Sequence, residues 1–408
     1  MTHRFIRNRD IVLFSFQAWE SEIGFNFKDM AYELARHNRV LFVNRAADRN
    51  SLLRAAFGRL AGRGKTKKGK ERSGLSEVMQ NLWLLNPAVV LESINWSPSY
   101  KLYEWINRIN NRRLAREINT AIAQLCFRDI IFINDNDFFR GLYQSELVPI
   151  QKYIFYIRDF LTIQPFFKKF GPRSEQQMIR QSDMVVANSG YLAEYARQWN
   201  PRSFDIGQGC HLESFAAGNL PMPKDMAGLP RPLIGYCGSI TAMRLDISVL
   251  EHIARSLPHC SLVLVGPADA FFEKSNLKNY KNVFLLGGKP PGMIQNYISH
   301  FDICINPQMV NQLTIGNYPR KIDEYLAAGK PVVATATEAM KMFSDYTFLC
   351  NNAQEYVEWI RFILAHENLF SNEENEKRKR FAFEHTWENS VGLLGDAFFQ
   401  TQNDGQFV

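Results

Sequence analysis

A chain of 408 residues is too long for one ordinary hydrophobic core, so two domains are expected. Its composition, 46% hydrophobic and 22% charged, excludes collagen-like and disordered classes. Apolar runs such as "SLVLVG" fall far short of the ~20 residues that span a bilayer, and much of the +7 net charge sits in one stretch.

The start, "MTHRFIRNRDIVLFSF", runs basic residues straight into a strand-like segment without a small-residue cleavage site, so no signal peptide is expected. "DIVLFSF" reads as a buried strand. "FNFKDMAYELARH" places Phe27, Met30, Ala31 and Leu34 on one helical face, and "RVLFVN" is a second strand. Right-handed crossover makes this βαβ unit part of a parallel sheet. Residues 59–72 then gather Arg59, Arg63, Lys65, Lys67, Lys68, Lys70 and Arg72 against Glu71 alone. Gly and Ser interrupt the run, so a loop is expected. It suits a solvated loop or an anionic membrane surface; nucleic acid is disfavoured, because no aromatics interleave with the charges.

"NLWLLNP" is a short strand, residues 99–125 a long helix, and "DIIFIND" and "KYIFYIRD" two more strands. "SEQQMIRQSDMVVANSGYLAEYARQW" reads as helix, strand, helix. Around 216–232 the composition turns rich in Pro, Gly and Ala, the best linker candidate. The alternation then restarts with "PLIGYCGS", "LDISVLEHIARSLP", "SLVLVGP", "NVFLLGGKP" and "FDICINP", and ends in "KIDEYLAAGKPVVAT" and "YVEWIRFILAH". The fold class is therefore α/β, with two facing Rossmann-like doubly wound domains and a cleft between them. The expected boundaries are 1–215, a linker at 216–232, 233–385, and a terminal helix over 386–408 crossing back to the first domain. Ligands of such sheets bind at the carboxyl ends of the strands.

The six cysteines lie far apart, with no CxxC and no mixed Cys/His cluster, so reduced buried thiols are expected, as in the cytoplasm. The densest chemistry is in "NYPRKIDEYLAAGKPVVAT", residues 317–335. Pro319 suits the first position of a helix, whose free N–H groups and dipole make an anion site. Lys321 adds a mobile positive charge. Glu324, one turn on, is suited to accept hydrogen bonds from vicinal hydroxyls such as those of a ribose. An amphipathic helix with solvated charges fits the same residues.

This stretch resembles the nucleotide-binding segment of GT-B glycosyltransferases, specifically the retaining group called family 4. "PLIGYCGSITAMRLDISVLEHIARSLPHCSLVLVGP", "NVFLLGGKPPGMIQNYISHFDICINP", "IGQGCHLESF" and "HTWENSVGLLGDAFF" are similar to further segments of that family, in the same order. The resemblance implies a hexosyltransferase with a nucleotide-diphosphate sugar donor, read as UDP-linked, and a saccharide or lipid-linked acceptor. It implies no cofactor and no metal. Gly238 and Ser239 would bring backbone N–H groups to the diphosphate, and Arg244 and Lys321 would balance charge on the leaving group. Glu324 would hold the ribose, and Thr314, Ile315 and Tyr318 would line the phosphate or sugar. In the first half, Gly24 faces acceptor and donor phosphate, with Gln17, Trp19 and Glu20 nearby.

Asp159 in "YIRD" is a candidate acceptor contact, though a helix-capping aspartate fits equally. Asn134 and Asp135 end a strand and are open to the same two readings. His211 stands where the family has Asp and reads first as a structural histidine. "DND" at 135–137 is the nearest approach to a metal-binding pair. The family often places a second glutamate eight residues before the ribose-binding one; here that position is Gly316. "NQLTIGNYPRKIDEYLA" instead resembles a subgroup that makes bacterial cell-surface polysaccharides of the teichuronic-acid type, through Asn311, Leu313, Thr314 and Pro319. A catalytically impaired relative and a nucleotide-sugar epimerase are the rival readings.

Overall fold

Apolar residues in short β-branched and aromatic runs build the two large sheets of the computed structural model, which describes residues 3–20, 26–53, 73–216, 220–311, 314–316 and 318–403. Unit 1 takes Met1–Gly207 and Ser390–Val408, and unit 2 takes Gln208–Asn389. No helix among the described residues is long and apolar enough to cross a membrane.

In unit 1 the strands Ala47–Asp48 and Val90–Leu91 pair in a small two-stranded sheet, and those of the large sheet are β1 (Asp10–Ser15), β2 (Arg39–Val43), β3 (Gly74–Met79), β4 (Leu82–Asn86), β5 (Ile130–Asp135), β6 (Ile150–Ile157), β7 (Met184–Ala187) and β8 (Ser203–Asp205). They form one eight-stranded sheet in the order β8-β7-β6-β5-β1-β2-β4-β3. Only β3, against β4, runs antiparallel. β1 is buried at every position, as a strand covered on both faces must be. The expected face of helix Asn26–Ala35 is the one that packs: Phe27, Met30, Ala31 and Leu34 are all buried. Helix Tyr100–Gln124 starts where the Ser99 hydroxyl accepts from Leu102 N at 3.3 Å. It buries Tyr103, Ile106, Asn110, Leu114, Ile118 and Ile122, a helical repeat.

One buried acid in this unit has a measurable consequence. Glu175 on helix Gly171–Gln181 is fully buried and accepts from the Tyr195 hydroxyl at 2.7 Å, while its Oε1 has no hydrogen-bond partner among the described residues. Burial lifts its carboxyl from 4.5 to about 7, opposed by the Tyr195 hydrogen bond. The folded form thus holds the proton more tightly than the unfolded chain does. The stabilising contribution is complete below about 4.5 and is lost as pH rises through about 7. Chemical denaturation should show stability falling by about 2 kcal/mol between about pH 5.5 and about pH 8, and Glu175→Gln should flatten that slope.

In unit 2 the strands are β9 (Leu233–Cys237), β10 (Ser261–Val265), β11 (Val283–Gly287), β12 (Ile303–Asn306), β13 (Val332–Thr335) and β14 (Phe348–Cys350). They pair wholly in parallel, in the order β11-β10-β9-β12-β13-β14. By rank within the unit this is 3-2-1-4-5-6, the doubly wound order whose switch point lies between its first and fourth strands. Alternation sorts the strand residues between two cores. Ile234, Tyr236, Leu262 and Leu264 pack with Leu250, Ile253, Tyr356 and Ile360, and Leu233, Cys237, Val263 and Val265 with Phe301, Tyr325 and Leu326.

The Pro- and Gly-rich stretch expected as a linker is held to unit 2. Met226 is buried in its core, and Asp225 pairs with Lys289 at 2.6 Å and accepts from the Tyr297 hydroxyl at 2.8 Å. The terminal helix Trp387–Asn403 begins in unit 2 and continues into unit 1, with the boundary at Asn389. All six cysteines are free thiols, five buried and Cys126 exposed. Gly24 and the basic residues 59–72 lie outside the described residues.

Candidate functional site

The switch point of unit 2 falls between β9 and β12, and the loops leaving those strands build the site. Gly238 ends β9 with φ +146°, a conformation that side chains rarely adopt, and its N–H donates to Val265 O at 2.9 Å. A Cβ there would lie 2.8 Å from the Lys321 Nζ and 2.9 Å from the Tyr236 hydroxyl. The ammonium and the loop backbone are therefore in near contact. Lys321 Nζ donates to the Tyr236 hydroxyl at 2.7 Å and sits 4.3 Å from its ring centroid. That hydroxyl donates onward to Ser239 O at 3.0 Å.

The loop from Gly238 to Arg244 is braced on two sides. Ile240 N donates to Pro267 O at 2.9 Å, and Asp269 accepts from Ala242 N at 2.9 Å. On the β12 side, Met309 N donates to Arg244 O at 2.9 Å and Asn311 Nδ2 to Met243 O at 3.0 Å. Gly266, at φ +149°, lets the β10 loop come this close: a Cβ would stand 1.8 Å from Gly238 O. Ser239 and Arg244 are exposed, and Arg244 makes no ion pair among the described residues.

Helix Arg320–Ala327 follows Pro319, which occupies the cap position, one residue earlier than the first helical position expected. The Pro319 carbonyl accepts from Ile322 N at 2.8 Å. Lys321 and Glu324, three residues apart, are half-buried, while Ile322, Asp323, Tyr325, Leu326 and Ala327 are buried. The Glu324 carboxylate lies 3.3 Å from Arg320 Nε, a partly exposed contact on the same helix.

The remaining predicted residues divide by what their side chains do. The Thr314 hydroxyl serves its own turn, donating to Met309 O and accepting from Asn311 N, and Ile315 N donates to Asn311 O at 2.9 Å. Tyr318 donates to Asp323 Oδ2 at 2.7 Å. A ligand would meet Thr314 and Tyr318 through backbone and ring, because both hydroxyls are engaged. In unit 1, Asp159 is half-buried after β6, and its carbonyl accepts from Leu161 N at 2.9 Å and Asn136 Nδ2 at 3.0 Å.

Asn134 and Asp135 are fully buried rather than open to a ligand. Asp135 is gripped by Arg158 at 2.5 and 2.9 Å, and burial raises its carboxyl against that guanidinium. Asp137 pairs with Arg140 at 2.6 Å, so both carboxylates of "DND" are committed to arginines. Trp19 is a core residue packed on Phe42, and Glu20 is exposed. His211 is exposed, 3.8 Å from Glu213.

The sequence reading passed over Tyr236, Gly266 and the buried anchor of the helix. Asp323 is fully buried; it accepts from His385 Nδ1 at 2.6 Å, from Tyr318, and from Cys210 Sγ at 3.5 Å. Burial raises its carboxyl, and those three donors oppose the shift. Tyr236 and Gly266 sat in quoted segments, where a tyrosine next to a phosphate loop and a glycine at a strand end were the available signals. The Asp323–His385 contact spans 62 residues and leaves no local trace.

Residues 231–366 match the family model "Glycosyl transferases group 1". A Bacillus subtilis (strain 168) protein named as a teichuronic acid biosynthesis glycosyltransferase, TuaH, is 27% identical over 227 residues, which cover 52% of this chain. The match spans 55% of that relative's length, so the chain covers about half of it.

Among solved structures, sucrose-phosphate synthase from Thermosynechococcus elongatus is 14% identical, with TM-score 0.64, over 98% of this chain and 100% of that one. Anabaena Alr3699/HepE in complex with UDP is 13% identical, with TM-score 0.62, over 98% of each chain. At such identities the likeness is one of fold. Residues 231–366 thus match the glycosyl transferases group 1 family, and the α/β fold of the chain is the GT-B fold of these solved structures.

Proposed function

We propose that the chain is a hexosyltransferase that moves a sugar from a nucleotide-diphosphate donor to a saccharide or lipid-linked acceptor in cell-surface polysaccharide biosynthesis, with retention of configuration. The observation that carries this reading is the Lys321 ammonium poised over Gly238 at the switch point of the unit 2 sheet. A fixed cation and a glycine that leaves room for close approach suit a pyrophosphate, although the Gly238 N–H expected to meet it is instead bonded to Val265 O. The relatives support it: one is named for teichuronic acid biosynthesis, and one was solved with UDP.

In this mechanism the bond between the anomeric carbon and the β-phosphate oxygen breaks, and its electron pair leaves with the diphosphate. Lys321 and Arg244 take up the growing negative charge, where most of the rate is expected to originate. The acceptor hydroxyl attacks the same face, and its proton passes to the departing phosphate oxygen. Glu324 holds the ribose diol, for which it must turn from Arg320. No metal is required, because the two cations do its electrostatic work. The reaction is placed on the cytoplasmic side, with residues 59–72 against anionic lipid. Flotation with anionic liposomes tests that placement, and no preference over neutral lipid would remove it.

The reading is checked with a panel of nucleotide sugars and the purified chain. A true donor at a hundred times its dissociation constant should stabilise the fold by ~2.7 kcal/mol, and with acceptor present it should release nucleoside diphosphate. Binding without turnover under any acceptor would favour the impaired relative that Gly316 suggests. If no nucleotide sugar stabilises the chain, the reading is wrong.

A further inference from the structure

Two tyrosines pin the end of β9 to helix Arg320–Ala327, and the mechanism so far uses neither. Tyr325, on the helix, accepts from Cys237 N at 2.9 Å through its hydroxyl. Tyr236, on the strand, reaches the other way, to Lys321 one turn earlier on the same helical face. Both side chains are fully buried, and phenylalanine would fill the same core space. The hydroxyls therefore need their own explanation.

The Tyr236 hydroxyl has one proton, and its direction is fixed by its neighbours. Ser239 O, 3.0 Å away, can only accept, so the proton points there. The oxygen lone pairs are left for the Lys321 ammonium at 2.7 Å. With its proton committed, this hydroxyl is neither acid nor base for sugar transfer. It holds. Ordering the long stem of a lysine costs side-chain entropy, and here that cost falls on folding rather than on the arrival of a ligand.

A carboxylate would hold the ammonium as well, but it would cancel the charge a diphosphate needs. Lys321 makes no ion pair among the described residues, and the acid three residues on, Glu324, faces Arg320 at 3.3 Å. A neutral hydroxyl, with a ring centroid 4.3 Å from Nζ, fixes the position and leaves the positive charge intact. The same hydroxyl ties the cation to the loop, because the Ser239 peptide is held at its other side by Ile240 N donating to Pro267 O at 2.9 Å. Ser239 N itself has no hydrogen-bond partner among the described residues. The loop thus offers one open donor beside a fixed cation.

We propose that Tyr236 is the positioning residue of this site: its hydroxyl sets the Lys321 ammonium and the Ser239 backbone in one arrangement before a diphosphate binds. The purpose of that arrangement rests on the hexosyltransferase reading; the anchor itself rests on geometry alone.

Tyr236→Phe keeps the ring and removes the hydroxyl. In the full chain kcat should fall about tenfold while the donor KM stays within about threefold, because the charge remains nearby but misses the oxygen on which negative charge grows. The same substitution made in Lys321→Ala should cost nothing further, since the two groups act as a unit. A parental kcat in Tyr236→Phe, or a cost that persists without Lys321, would overturn the proposal. Acylation by acetic anhydride, read residue by residue by mass spectrometry, tests the anchor without turnover. Lys321 should react at least about threefold faster in Tyr236→Phe and at the parental rate in Tyr325→Phe, which loses an equally buried hydroxyl that does not touch Lys321. Equal rates in the parent and Tyr236→Phe, or the same acceleration in Tyr325→Phe, would mean a merely structural tyrosine. A parent chain that neither binds nor turns over any nucleotide sugar removes the hexosyltransferase reading, and the acylation rates then decide the anchor alone.

Discussion

Lys321→Ala should lower sugar transfer by ~10²–10³ while leaving the thermal midpoint near that of the parent. The ammonium is held at 2.7 Å from the Tyr236 hydroxyl and over its ring, beside a glycine that brings the loop backbone to it. Removing it takes away a charge already in place before the phosphate arrives, which is the kind of contact worth ~3–4 kcal/mol in a transition state. Stability should change little, because the side chain is half-buried and makes no ion pair with a buried acid. Lys321→Arg should not restore the rate, since a planar fork cannot occupy the same point over the ring. Steady-state kinetics with matched melting curves decide the matter. Activity within a few-fold of the parent would move the diphosphate elsewhere.

Gly266→Ala is expected to damage the fold itself, by about 3 kcal/mol or more. Its φ of +149° is strained for any side chain, and the new methyl would sit 1.8 Å from Gly238 O, a backbone atom that cannot swing aside. Relief requires β9 and β10 to part at their ends, where Gly238 N bonds Val265 O and Gly266 N bonds Gly287 O, both at 2.9 Å. Gly238→Ala makes a useful contrast. Its methyl meets the tips of Lys321 and Tyr236 at 2.8 and 2.9 Å, atoms on side chains that can move. Donor use should therefore fall further than stability does. Urea titrations of both variants check the ordering, and an unchanged midpoint for Gly266→Ala would refute the account of the paired loops.

Most elements were legible because periodicity survives locally. β1, β2, β5 and β6 are continuous apolar runs, and the long helix carries its buried positions at helical spacing. β3 was missed: its sequence "GLSEVM" follows the basic stretch, and five of its six residues are exposed, so no buried face marked it. β8 and β14, three residues each, are too short to show alternation. The helix Asn372–Ala382, with seven of its eleven residues charged, escaped because only Arg378 and Ala382 are buried. In the site, Gly238 and Lys321 could be named from their segments. Which hydroxyls were free could not be: Tyr318 and Thr314 looked available until their partners Asp323, Met309 and Asn311 were placed. Such pairings depend on folded geometry and leave no periodic trace.

The anchor beneath helix Arg320–Ala327 bears on any attempt to isolate the part of the chain that matches the family. That match ends at residue 366, yet Asp323 is hydrogen-bonded by His385 and Cys210, while Arg378 donates to Gly329 O at 3.2 Å just past the helix. A fragment cut at 231 and 366 would strand a carboxyl in a greasy interior and leave a carbonyl bare at the helix exit. The recognisable segment is therefore not a self-sufficient module, and the smallest piece fit for structural work on nucleotide binding begins before Cys210 and runs past His385.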